Sequence, residues 1–338
     1  MKFEIVKLFF TTPIHLGTDR EDYTRSDEFI CSDTLYSAII SAWDIASMEV
    51  GDIHNPEFVL SSAFPFYQKD KNSEAIYFFP KPFIHPAKKD DSTYADRKKL
   101  KKIKWMDKPT FEKLINRDEN FLFNESNIYD KYFYSEIPPE KFISVEELPK
   151  VRAARLPQED SEPYYLQRIF FKEYCGLYFI LICDNEKVRR KINSALEILS
   201  NEGIGSYRTI GQGLFDSKTT ETEISLPQNA NHFCNLSLFC PQNKEQLKPM
   251  LNAKSSYELI RRGGWITKHG YRTYRRQHLY MFQEGSIFND TKESNQLQTI
   301  NHILSGGKIA DVTPDILYDN PHPFYRFGKA MFLPVKIQ

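Results

Sequence analysis

The chain has 338 residues, enough for about two domains, and its 45 basic and 45 acidic side chains leave a formal net charge of zero. No global field draws it to a polyanion, so a nucleic-acid partner must be held by local patches. The longest uncharged apolar run, GLYFILIC at 176–183, is far short of the ~20 residues that span a bilayer, and Lys2, Glu4 and Lys7 interrupt the apolar N-terminus, which points to a soluble, cytoplasmic chain with no membrane partner.

In chain order, KFEIVKLFF roughly alternates apolar and charged residues and reads as a strand that ends at TTP. SDTLYSAIISAWDIAS follows as an amphipathic helix of about four turns, with Leu35, Ile39, Trp43 and Ala46 on one face and Ser32 or Asp33 as cap. FVLSSAFPFY (58–67) and AIYFFP (75–80) are strand candidates. Residues 84–150, which include RKKLKKIK (97–104), are too charged for a core and too long for an ordinary loop, so they read as an insertion with some helix near 109–117. VRAARLPQEDSEPYYLQRIFF sets two arms around a turn, a projecting hairpin over 151–171 that carries Arg152, Arg155 and Arg168.

GLYFILIC suits a strand buried on both faces. The helix NEKVRRKINSALEILSNEG then places Val188, Ile192, Ala195, Leu196 and Leu199 on one face and ends at Gly203 in a left-handed conformation. LFDSKTTETEISL supplies the closing strand. The sum, βαββ, insertion, βαβ, contains the β-α-β-β-α-β order of a ferredoxin-like, RNA-recognition-motif-like fold. A second α+β unit starts near 231 with NHFCNLSLFCP, a weak helix around 244–252 and SSYELIRRGGWI, giving domains at 1–230 and 231–338. The five cysteines form no C-x-x-C pair and read as core residues, not metal ligands.

Three constellations could carry chemistry. GIGSYRTIGQGLFD (203–216) has four glycines, but their spacing and helical approach differ from a dinucleotide fingerprint, which argues against a nucleotide cofactor. Main chain without Cβ atoms at Gly203, Gly205, Gly211 and Gly213 can approach phosphate oxygens, with Arg208 supplying charge and Ser206, Thr209 and Gln212 neutral donors. The alternative is a helix cap followed by a tight turn, for which two glycines would suffice. Between Lys254 and Arg276 stand seven basic residues, among them Arg262, Arg275 and Arg276, interleaved with Tyr257, Trp265, Tyr271 and Tyr274. Cations with stacking rings favour single-stranded RNA, the alternative being a hairpin whose arginines pair with acids of the first domain. His15, just after the first strand, is placed where a general acid could act, although a lone histidine beside a turn more often forms a hydrogen bond or contacts phosphate. No H-E-x-x-H, G-x-S-x-G or G-x-x-x-x-G-K-[ST] motif occurs.

Taken together, TTPIHLG, SDTLYSAIISAW, SSAFPF, FPKPF, CGLYFILIC, GIGSYRTIGQGLFD, RRGGW, EGSIF and PFYRFGKAMFLPV resemble, in order, the RAMP (repeat-associated mysterious protein) subunit that caps the crRNA 5′ end in type III-A CRISPR, or Csm, effector complexes. The resemblance implies an α+β protein of two tandem ferredoxin-like domains that binds the repeat-derived 5′ tag. It implies as partners the large polymerase-palm signature subunit and the first backbone RAMP subunit, with target RNA met only indirectly, and no cofactor and no nuclease activity. By position, Gly203, Gly205, Ser206, Arg208, Gly211 and Gly213 would form the RNA loop, His15 and Gly17 the turn after the first strand, and Arg152, Arg155 and Arg168 a thumb-like hairpin that kinks the RNA. With Thr209, Arg262, Trp265, Arg275 and Arg276 these make up the expected RNA-binding set. A flat β surface beside the glycine loop would then support a splayed strand. Two other readings use the same residues: a metal-independent repeat endoribonuclease with His15 as general acid, and a protein-binding scaffold whose arginines form subunit interfaces.

Overall fold

The alternating KFEIVKLFF forms β1 (Lys2–Phe10), and the SDTL segment forms α1 (Ser32–Ile45). They belong to a computed structural model that describes residues 1–17, 23–84, 101–119, 121, 123–136, 140–154, 160–266, 270, 271, 273–290, 297–300, 303–317 and 323–337. Short strands β2 (Phe58–Leu60), β3 (Phe64–Tyr67) and β4 (Ile76–Pro80) follow. Next come β5 (Trp105–Asp107), α2 (Lys108–Ile115), β6 (Ile128–Tyr129) and β7 (Tyr132–Phe133). The hairpin is β8 (Ile143–Arg152) and β9 (Glu162–Phe171), and β10 (Gly176–Cys183), α3 (Glu186–Glu202) and β11 (Phe215–Glu223) close the first unit.

The second unit opens with β12 (His232–Asn235), α4 (Lys244–Met250), β13 (Leu259–Arg262) and β14 (Leu279–Phe282). It continues through β15 (Ile287–Asn289), β16 (Gln298–Ile300) and β17 (Ile303–Gly306). It ends with β18 (Ile309–Asp311), β19 (Tyr325–Phe327) and β20 (Ala330–Val335). Its main sheet runs β15-β12-β20-β17-β16, and among the described residues it carries one α-helix. The chain is thus mixed α+β.

In the first sheet the order is β11-β1-β10-β3-β4-β5-β7-β6, with β2 also on β10. β1 runs antiparallel between its neighbours, Ile5 standing opposite both Ile180 and Thr220. The unbroken apolar run of β10 has a simple cause. Leu177, Phe179 and Leu181 face α1 and α3, packing with Leu35, Ile39, Trp43, Ile192 and Leu196. Tyr178, Ile180 and Ile182 face the opposite way, into a core shared with Trp105, Met106 and Phe111 and with Cys234, Leu236 and Leu333 of the second unit.

That second layer corrects two expectations. The central strand β10 offers no open surface for RNA, because an apolar strand demands a cover on both faces and receives one; exposed β surface lies instead at the edge strand β11. Residues 84–150 are not peripheral either: Ile103, Trp105, Met106, Phe111, Tyr132 and Phe133 are buried, and β5 to β7 extend the sheet. The segment's charge sits on exposed lysines such as Lys101 and Lys102, while short apolar groups point inward. The helix expected near 109–117 is α2, capped by Asp107, whose carboxylate accepts from the Thr110 amide at 3.1 Å and from the Ser135 amide and hydroxyl at 2.7 Å.

The hairpin starts at Ile143, eight residues before the expected boundary of 151, since ten cross-strand pairs run from Ile143–Phe171 to Arg152–Glu162. α1 is not capped by Ser32 or Asp33: the Ser32 hydroxyl accepts from the Leu238 amide at 3.0 Å, and Asp33 turns to arginines of the second unit. All five cysteines are buried free thiols, in keeping with a core role. No helix among the described residues is long and apolar enough to cross a membrane.

Because Phe111 is fully buried and stacks on Phe79 at 4.5 Å, Phe111→Ala should cost about 3–5 kcal/mol. Thermal or denaturant unfolding checks this, and an unshifted midpoint would return the segment to the periphery.

Candidate nucleic-acid interface

The glycine segment is built by folding main chain onto main chain. Gly203 donates to Leu199 O at 2.8 Å and leaves α3 with the positive φ expected there, 80°, but with ψ 164°, outside the compact left-handed helical well. The chain then doubles back, with Ile204 N on Gly213 O at 3.0 Å, and is stapled to the turn after β1 by Ser206 N on His15 O and Gly213 N on Pro13 O, each at 2.9 Å. A Cβ at Gly213 would lie 2.0 Å from Ile204 O, and one at Gly205 2.7 Å from His15 O. These glycines therefore exist to let backbone pack on backbone, which corrects the expectation that all four open the main chain to a ligand. Gly211, with nothing within 4 Å of its Cβ position, is the open one.

Only the tip of the segment fits the expected role. Ser206, Arg208, Thr209 and Gly211 are exposed. Ile210 and Gly211 donate back within a short 3-10 turn at Arg208–Ile210. The amides of Tyr207, Arg208 and Thr209 that begin this turn have no acceptor among the described residues. Tyr207 holds a left-handed conformation (φ 62°, ψ 23°), a strain that a non-glycine residue keeps only where its side chain is fixed.

What fixes Tyr207 is an aromatic group around His15. The Tyr207 hydroxyl lies 3.4 Å from that of Tyr164, Tyr164 packs on Tyr23 at 5.3 Å, and His15 meets the edge of Tyr207 at 6.0 Å. Burial and the Tyr164 contact push the Tyr207 phenol well above its ordinary range. His15 is 1 % exposed and its Nδ1 sits 2.8 Å from Gln167 O, so that nitrogen carries the proton and donates. This is the geometry of a positioning residue that ties β9 to the loop. Gly17 forms a bridge with Ser26 nearby.

The arginines of the hairpin stand apart from this cluster. Arg168 pairs with Glu146 at 2.6 Å, exposed Arg152 faces Glu162 at 3.8 Å, and Arg155 lies outside the described residues.

Opposite the glycine segment the second unit contributes Arg262, Arg276 and Arg326, which with His15, Gly17, Gly203, Gly205, Ser206 and Arg208 line a cleft of about 270 Å³. Its back wall is Asp33, fully buried, accepting from Arg262 Nε at 3.0 Å and Nη2 at 2.9 Å and from Arg326 Nη1. Burial alone would raise the Asp33 carboxyl, but the two guanidiniums hold it far below the usual carboxylate range. Arg276 has a buried Nε without a partner among the described residues, and burial together with Arg326 lowers its pKa to about 10. Four guanidiniums, these three and Arg208, thus share the lining with two carboxyl groups, Asp33 and Asp27, a surplus of positive charge that a phosphate would relieve.

Residues 228–335 match the family model for the CRISPR Csm4 C-terminal domain. The "CRISPR system Cms protein Csm4" of Thermococcus onnurineus is 30% identical over 247 residues, 69% of this chain and 74% of that protein. The chain belongs to the Csm4 family. The protein of the same description from Streptococcus thermophilus is 24% identical over 337 residues, 96% of each chain. Two solved structures share the fold, each covering 100% of this chain. They are a Csm3-Csm4 subcomplex of a type III-A interference complex (TM-score 0.61, 19% identity, 100% of that chain) and a Csm1-Csm4 cassette with AMPPNP (TM-score 0.61, 22% identity, 99% of that chain).

For this Csm4-family chain, the expected set divides into residues that converge on the cleft and residues that do not. Arg262 converges but spends its charge on Asp33, the pairing with a first-domain acid that was the alternative reading. Trp265 and Arg275 form a cation–π pair at 4.8 Å beyond the cleft lining. Thr209, Gly211 and Gly213 are also outside that lining. Missed from sequence were Asp33, Arg326, Tyr23, Tyr164 and Tyr207. Arg326 stands in PFYRFGKA and Asp33 in SDTL, and a buried charge in an apolar segment was the available sign of a cross-domain pair.

Gly213→Ala should destabilise the fold by more than about 1 kcal/mol and by clearly more than Gly211→Ala, as measured by urea unfolding. Glu284, buried between the units, accepts from the Ser62 hydroxyl, and burial raises its carboxyl from 4.5 to about 7. The folded state therefore binds a proton between pH 4.5 and about 7 that the unfolded state has released, so this group's contribution is full below pH 4.5 and lost as pH rises through 7. Glu284→Gln should raise the melting temperature at pH 8 and leave it nearly unchanged at pH 4.5.

Proposed function

We propose that this chain holds the repeat-derived 5′ tag of a crRNA in the cleft between the glycine segment and the arginines, and does so without cutting it. In this reading it sits in a type III-A effector complex between the large signature subunit and the first backbone RAMP subunit, by analogy with the similar chains solved in Csm1-Csm4 and Csm3-Csm4 assemblies. Target RNA is met only through the guide.

The observation that carries the proposal is the cleft's unbalanced charge: Arg208, Arg262, Arg276 and Arg326 line it against the carboxyls of Asp33 and Asp27, and the Arg208 N–H beside them has no acceptor among the described residues. Such a site takes ribose-phosphate by shape and charge, the mode suited to an unpaired strand. The antiparallel order β11-β1-β10-β3 with α1 and α3 on one face supports a ferredoxin-like reading of the first unit, and we extend it to the second by family. The endoribonuclease reading is the weaker one, because a general acid must reach its substrate and His15 is buried with Nδ1 committed to Gln167 O.

The test is crosslinking of tag RNA in the assembled complex. Ser206→Ala with Arg208→Ala, and separately Arg276→Ala, should lower crRNA crosslinking several-fold with the fold intact. Each lost phosphate contact should flatten the slope of log affinity against log salt by about 0.7. Unchanged yield and slope in both variants would remove the cleft from RNA binding.

A further inference from the structure

A second cavity, of about 380 Å³, opens at the seam between residues 84–121 and the second unit and shares no lining residue with the cleft. The seam is made by main-chain hydrogen bonds, Lys336 N to Ile115 O and Phe83 N to Gly285 O, each at 2.9 Å. Four cations surround the cavity: Lys113 and Arg117 at the end of α2, and Lys254 and Lys336 from the second unit. None of them is ion-paired to an acid among the described residues, and Asp118 is the one acid in the wall. Basic residues near a helix C-terminus serve the helix dipole, but Lys254 and Lys336 belong to other parts of the chain. The remaining wall includes Phe83, half-buried, next to Ile84 and Ile337.

Arg117 adds an independent sign. It follows the cap residue Asn116 with φ 56°, and its amide donates to Leu114 O while Asp118 N donates to Lys113 O. This is the helix-ending motif in which the left-handed position is normally glycine, since Cβ crowds the backbone there. An arginine kept at that position bears strain, and it lines the cavity with its cation.

We propose that this cavity binds a nucleotide unit, with phosphate on the Arg117 and lysine cations and the base against Phe83. A volume in the range of small-ligand sites with an anion-binding side and one aromatic face fits that chemistry, whether the unit is a free nucleotide or part of an RNA strand. The proposal does not depend on the tag-binding cleft.

The experiment is isothermal titration of the full-length chain with uridine 5′-monophosphate, the trinucleotide UpUpU and inorganic phosphate. Uridine monophosphate should bind saturably. Arg117→Gly, which suits the backbone and should preserve or raise thermal stability, should weaken binding about tenfold, as should Lys336→Gln. Lys218→Gln, an exposed change outside both linings, should leave this binding unchanged. A trinucleotide that binds much more tightly than the monophosphate identifies the ligand as a strand, and equal affinity identifies a free nucleotide; either result supports the proposal. It is overturned if neither nucleotide binds, if binding is indifferent to Arg117→Gly and Lys336→Gln, if Lys218→Gln weakens it as much as they do, or if inorganic phosphate binds as well as the monophosphate.

Discussion

One buried carboxylate organises the cleft. Asp33 sits in the first turn of α1 with no exposed surface, and its charge is tolerated because Arg262 grips it with two nitrogens and Arg326 with a third. Such a triad adds little net stability, since desolvation consumes most of the Coulomb gain, but losing one member leaves a buried charge that costs about 3–5 kcal/mol. Its value lies in geometry. Arg326 also donates to Gly263 O at 2.6 Å, so the triad fixes β13 and β19 of the second unit against α1 of the first. The glycine segment, stapled to the turn after β1, then faces a wall whose position is set.

The same triad explains how a chain of zero net charge can hold an anion locally. Of the arginines at the cleft, two are neutralised in part by Asp33, and the surplus falls on Arg276 and Arg208.

How much of this could be read from sequence follows from what each signal measures. Periodicity reports burial, so GLYFILIC, the SDTL helix and the helix before Gly203 were legible and stand where expected. Charge density over a long window does not report burial, because a few apolar groups such as Trp105, Met106 and Phe111 suffice to enter a core while lysines around them remain in water. Hence 84–150 looked peripheral. The glycine count was legible but its cause was not: a glycine that admits a ligand and one that admits its own neighbour's carbonyl, as Gly213 admits Ile204 O, look alike in a string of letters. Asp33 with Arg326, and His15 with Tyr207, are pairs distant in sequence, and nothing local marks them. Arg262 was singled out for its charge, and its partner decided its use.

The place of β1 has a bearing on how the protein is made. Its neighbours on both sides are β10 and β11, with Lys2 opposite Glu223. During synthesis at ~5–20 residues per second, β1 leaves the ribosome on the order of ten seconds or longer before either neighbour. Throughout that interval Ile5, Val6 and Leu8 are uncovered, and the charges at Lys2 and Glu4 act as gatekeepers against association of nascent chains.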